Sequence, residues 1–204
     1  LSLHDALPIL GGLYALMALG LALVWGVLNI VNLAHGALIM VGGYATWMLF
    51  TRAGIDPFAA LPITAVALFA LGYAIQRGIL NLVIRAPMFN TLLITFGLEV
   101  VLAYLAQFWF SADFRAINPR YAGNNFALGP VTLPTVQVAA FAIAIGLTVA
   151  MWLFLLHTRI GRGIRASAQN LVAARLYGVS PKRIYALTFG LGAALAGVAG
   201  GLYG

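Results

Sequence analysis

Apolar residues in this chain come in long runs rather than in alternation. Stretches of roughly 20 residues, each nearly free of charge, recur at 10–28, 58–75, 91–110, 136–156 and 184–204. A run of that length is what an α-helix needs to cross a hydrocarbon layer about 30 Å thick. A sixth stretch, 29–50, is interrupted near its start by Asn29, Asn32, His35 and Gly36 and again by Gly42-Gly43. Turn formers separate the runs: Asp56-Pro57, Pro87, and a dense set between 111 and 134 that includes Asn118-Pro119 and Gly129-Pro130. The pattern predicts an all-α polytopic membrane bundle of about six transmembrane helices, near 10–28, 37–50, 58–75, 91–110, 136–156 and 181–204. Small residues recur at four-residue spacing in two of them. Ala18, Ala22 and Gly26 form one stripe in the first helix. In the last helix Gly192, Ala196, Gly200 and Gly204 form one row and Ala193, Gly197 and Gly201 another. Two adjacent rows argue for close burial against other helices.

Composition supports the membrane reading, since 63% of the residues are hydrophobic and only 7% charged. The net charge of +7 then belongs to cytoplasmic loops and anionic headgroups rather than to nucleic acid. There is no cysteine, which excludes disulfides and thiolate metal sites. Six of the eleven basic residues lie between His157 and Arg183, and such a loop belongs on the cytoplasmic side. Alternating backwards from it gives eight basic residues inside (those six, Arg77 and Arg85) against three outside (Arg52, Arg115 and Arg120). That count rejects the inverted topology and leaves two arrangements for 10–50: two ordinary crossings, or one re-entrant segment. Residues 1–9 lack the basic start and cleavage site of a signal peptide and read as a non-native, adapter-derived leader. The single transmembrane domain is 10–204, with the basic loop at 157–183.

That loop reads HTRIGRGIRASAQNLVAARLYGVSPKR. Asn170 is a candidate N-cap for a short helix from Leu171 to Tyr177, Gly178 has the character of a C-terminal stop, and Ser180-Pro181 opens the next helix. With Val172-Ala173-Ala174 three residues ahead of Gly178, the loop resembles the cytoplasmic coupling loop of ABC-transporter permeases. Through RASAQNLVAARLYGVSPKRIYALTFGLGAALAGVAGGLYG it is most similar to the permeases of bacterial branched-chain amino-acid (Liv-type) importers, and NLAHG at 32–36 continues the match. One position departs: the motif's acidic residue is Val172 here. The resemblance implies a short coupling helix docking into an ATPase subunit, with Arg165, Ala173, Ala174, Arg175 and Gly178 as the coupling residues. It also implies a second permease subunit, an external solute-binding protein, an inner-membrane location, hydrophobic amino acids as substrates, and further spans beyond 204. Importers of urea or amides are relatives to weigh.

Chemistry of other kinds has little to stand on. The sequence holds no G-x-x-x-x-G-K-[ST] phosphate loop, no H-E-x-x-H and no G-x-S-x-G, so neither an ATPase nor an enzyme is expected, and no cofactor. Glu99 is the one acid within a predicted span. Asn29, Asn32 and His35 recur at three-residue steps and would share one face of a helix. Polar groups at that depth turn inward, either to line a translocation path with Gly36 and Glu99 or to hold helices together. A self-sufficient channel or secondary transporter is the reading from another class, but neither an internal repeat nor an intramembrane charge pair supports it.

Overall fold

A computed structural model describes residues 3–83, 87–110, 117, 119, 125–128 and 131–203. Six long helices account for most of it: α1 (Leu3–Leu28), α2 (His35–Ala53), α3 (Pro57–Ile75), α5 (Met88–Phe110), α6 (Thr135–His157) and α9 (Pro181–Tyr203). A π-helical turn, Gln76–Leu80, and the single turn α4 (Asn81–Val83) prolong α3, while α7 (Arg159–Gln169) and α8 (Leu171–Leu176) lie between α6 and α9. Five helical segments are long and apolar enough to cross a membrane: Leu10–Leu28, Pro57–Val83, Met88–Phe110, Thr135–His157 and Pro181–Tyr203. The multi-pass bundle is therefore as the runs predict, with α2 a helix of similar length but more polar composition.

The architecture is organised around α9. Its flanks pack against α1, α2 and α3, and nearly every residue from Ile184 to Gly201 is buried. The two small-residue rows explain how three helices can approach it at once. A methyl group added at Gly197 would lie 2.6 Å from Leu68 of α3, and one at Gly192 2.7 Å from Val24 of α1. On the α2 side Gly42 meets the Gly197 backbone, and Gly200 meets the Ile39 carbonyl. Helix contact at backbone distance gains dispersion energy that bulkier side chains would prevent. Glycine on α1 at Gly20 and on α3 at Gly72 completes the arrangement, each facing α9.

Several sequence expectations are revised by packing. The stripe Ala18, Ala22, Gly26 is exposed, and α1 instead turns Leu13, Leu16, Gly20, Val24 and Val27 inward. Leucine and valine bury more apolar area per residue than alanine, so the bulkier stripe takes the interior. Helix α1 begins at Leu3, ahead of the predicted start of the first span at 10, which does not bear on whether residues 1–9 are native. The basic connection predicted at 77–90 is helical to Val83, because nothing before Pro87 stops it, whereas Ala86 lies outside the described residues. The loop 111–134 contains an antiparallel hairpin, Asn125–Leu128 with Val131–Pro134, and the remaining turn formers there, apart from Pro119 and Pro134, lie outside the described residues. Asp56 caps α3 as a proline-led start requires, its carboxylate accepting from Phe58 N at 2.9 Å.

Candidate functional site

The break between α1 and α2 is the feature that sets the interior chemistry. Helix α1 ends at Leu28 and Asn29 turns the chain with φ +53°, a left-handed conformation that asparagine tolerates better than most residues. Residues 30–34 then run back without helix, and α2 starts at His35. How far back they run is fixed by a hydrogen bond: His35 Nε2 donates to Met17 O at 2.9 Å. Met17 precedes the end of α1 by about 16 Å of helix rise, which is half a hydrocarbon layer. Gly192, whose backbone also meets Gly20 beside the His35 ring, stands equally deep in α9. The N-terminus of α2 therefore opens near the midplane, and the return crossing is non-helical as far as Ala34 and helical from His35 onward, so it is a broken crossing rather than a re-entrant one and the helical face expected of Asn29, Asn32 and His35 does not exist. Asn29 is exposed at the turn, while Asn32 and His35 are buried. Non-helical backbone at such depth must be covered by protein. Helix α5 provides part of that cover, with Thr95 Oγ1 donating to Val31 O at 2.9 Å.

The polar groups collected here are unevenly satisfied. A carbonyl can only accept, so His35 Nε2 carries the proton and Nδ1 is a bare acceptor in the neutral ring. That Nδ1 and Asn32 Oδ1 are both buried without a protein partner. On the donor side, His35 N reaches Asn32 O and Leu38 N reaches Ala34 O. No side chain caps the helix, so the Gly36 and Ala37 amides remain as free donors at its positive end. Two acceptors and two donors thus converge within six residues. Unpaired polar groups in a dry interior are costly, and Asn32 Oδ1 and His35 Nδ1 are two such acceptors, whereas Gly36 at the start of α2 is exposed. Glu99 lies one turn along α5 from Thr95. It is half-buried on α5, without a hydrogen bond among the described residues, so the structural bond to a neighbouring helix weighed for it is not formed.

At the other end of the bundle the basic loop is folded, as its caps predict. Asn170 Oδ1 accepts from Ala173 N at 3.0 Å and starts α8, and Gly178 ends the turn with φ +82°. Ala174 faces inward, Ala173 is half-buried and Arg175 is exposed. Arg165 donates to Leu156 O at 3.3 Å. Val172, Leu176 and Tyr177 project outward, Leu176 being 83% and Tyr177 89% exposed. An apolar patch exposed on a short helix outside the long apolar helices is of the kind that a partner covers. Sequence reasoning missed α7, whose signal was present: Arg159, Arg162 and Arg165 at three-residue steps give one charged face, opposite buried Gly161, Ile164 and Ser167. Thr158 makes the corner into α7, its Oγ1 donating to Phe154 O at 2.7 Å and accepting from Gly161 N at 2.9 Å.

Comparison with known proteins bears on the family of the chain. A family model described as the permease component of branched-chain amino acid transport systems matches residues 5–204. The high-affinity branched-chain amino acid transport system permease protein BraD of Pseudomonas aeruginosa is 30% identical, over 95% of this chain and 67% of its own length. The corresponding permease protein LivH of Escherichia coli is 30% identical, over 96% of the chain and 67% of its length. LivM of the same organism, 28% identical over 94% of the chain, is matched along 50% of its length. No solved structure matches.

Proposed function

Because the chain belongs to the permease components of branched-chain amino acid transport systems, we propose that it conducts branched-chain or other hydrophobic amino acids across the bacterial inner membrane, driven by separate ATPase subunits. The observation that carries the reading is the α1–α2 break, where two buried acceptors without a partner lie beside the uncapped N-terminus of α2. A zwitterion needs donors for its carboxylate and acceptors for its ammonium. The Gly36 and Ala37 amides at the positive end of α2 suit the former, and Asn32 Oδ1 and His35 Nδ1 the latter. Neutral groups suit conduction because they bind without holding, whereas a fixed ion pair would slow release. Asn29 at the turn and Glu99 on α5 flank the path at its rim.

Energy reaches the path through the platform. In this reading α8 seats Leu176 and Tyr177 in an ATPase subunit, Ala173 and Ala174 hold it against α7, and Arg165, Arg175 and Gly178 fix its position. A second permease subunit and an external solute-binding protein complete the importer, and selectivity lies mainly in the latter. The assembled complex tests this directly. Leucine uptake into proteoliposomes is expected only with ATP and the ATPase subunit present, and uptake without either would return the chain to the class of channels.

A further inference from the structure

A pocket of about 740 Å³ opens on the cytoplasmic side of the bundle, where the π-helical turn after α3 faces the start of α9. One wall carries Tyr73, Arg77, Asn81 and Leu82. The other carries Ser180, Lys182 and Arg183. We propose that this pocket binds the headgroup of an anionic phospholipid. Three cations converge on it, and among the residues that line it there is no acid. Among the described residues no carboxylate pairs with these cations, which suits the site to an external anion. Arg77 is pre-aimed, its Nη1 donating to Tyr73 Oη at 3.0 Å. Asn81 is held from behind by Gln76, whose Nε2 donates to Asn81 Oδ1 at 3.2 Å, leaving the Asn81 amide N–H groups available. Ser180 and Tyr73 add hydroxyls that can donate to phosphate oxygens.

The apolar rim decides between sources of phosphate. Leu82 is 81% and Ile79 43% exposed, directly beside the cations and on the outer surface of the α3 extension. A free phosphate or an acidic protein segment would leave both leucine and isoleucine stranded, whereas acyl chains below a headgroup would cover them. The π turn is what brings the two chemistries together, since the extra residue in its ring rotates the following turn relative to a continuous α-helix. Basic pockets of this kind between membrane helices suit anionic headgroups, each cation near the surface adding to the attraction.

The experiment uses the full-length protein in nanodiscs of phosphatidylcholine and phosphatidylglycerol in equal amounts, released for native mass spectrometry. The wild type is expected to retain phosphatidylglycerol, and Arg77→Gln/Lys182→Gln to retain it about thirtyfold more weakly. Arg159→Gln/Arg162→Gln, which removes the same charge from α7, should behave as wild type, and Leu82→Ser should weaken retention of the lipid. Equal loss in both double variants, or no loss in the first, overturns the proposal. So does displacement of the lipid by millimolar inorganic phosphate, and so does a pocket variant that keeps its lipid but no longer captures the ATPase subunit.

Discussion

Glycine at a helix crossing is a residue-scale commitment. Where Gly42 meets the Gly197 backbone and Gly200 meets the Ile39 carbonyl, a larger side chain has no flexible neighbour to push aside. Gly42→Val or Gly200→Val should therefore cost about 1–3 kcal/mol or more, as overpacking does, and lower the melting temperature in detergent. Gly97→Ala, with open space where its methyl group would stand, should shift it little. The rows of α9 announced this in sequence because four-residue spacing of small residues has one main physical use. The stripe of α1 had the same spacing and a different outcome, since spacing shows which residues share a face but not which face the neighbours take. Asn32 and His35 were legible as polar groups that must turn inward. Their placement was not, because it depends on a hydrogen bond to Met17, eighteen positions away.

At the scale of elements, the proposed coupling rests on α8. Helix α8 has six residues, too few to hold themselves, so its caps matter more than its propensity. Removing the Asn170 side chain with Asn170→Ala should cost about 1 kcal/mol and speed hydrogen exchange at Ala173. Gly178 sits at φ +82°, where a β-branched residue is strained. Gly178→Val should leave the chain inserted and bound to its ATPase but uncouple hydrolysis from leucine uptake, and unchanged uptake would remove the platform from the mechanism. Cap residues made α8 readable, since each has a local cause. The π turn and α4 were hidden because a helix continues until something stops it, and basic residues at a membrane edge look like the end of one.

On the scale of the whole molecule, alternation of the helices puts the α2–α3 turn on one face and α7–α8 on the other. The absence of cysteine gives a clean background for labelling. Cysteine placed at the exposed Ala53 should react with an impermeant reagent in intact cells, and cysteine at the exposed Gln169 only after the membrane is opened. Ser167, which loop position alone would suggest, is buried against the bundle and would report poorly. Reaction of Gln169→Cys from outside would reverse the topology and with it the cytoplasmic placement of the platform.

The break at the midplane is the centre of the account, and uptake of leucine by the assembled transporter tests it most directly. Asn32→Leu and His35→Leu should each lower ATP-driven uptake roughly tenfold or more, the loss expected when a buried polar contact is removed. The same complexes should keep their ATPase subunit, and Val66→Ala on the outer surface of α3 should transport as wild type. Uptake untouched by both polar substitutions would place the conduit elsewhere, and loss of assembly in either would make the cluster a packing device rather than a path.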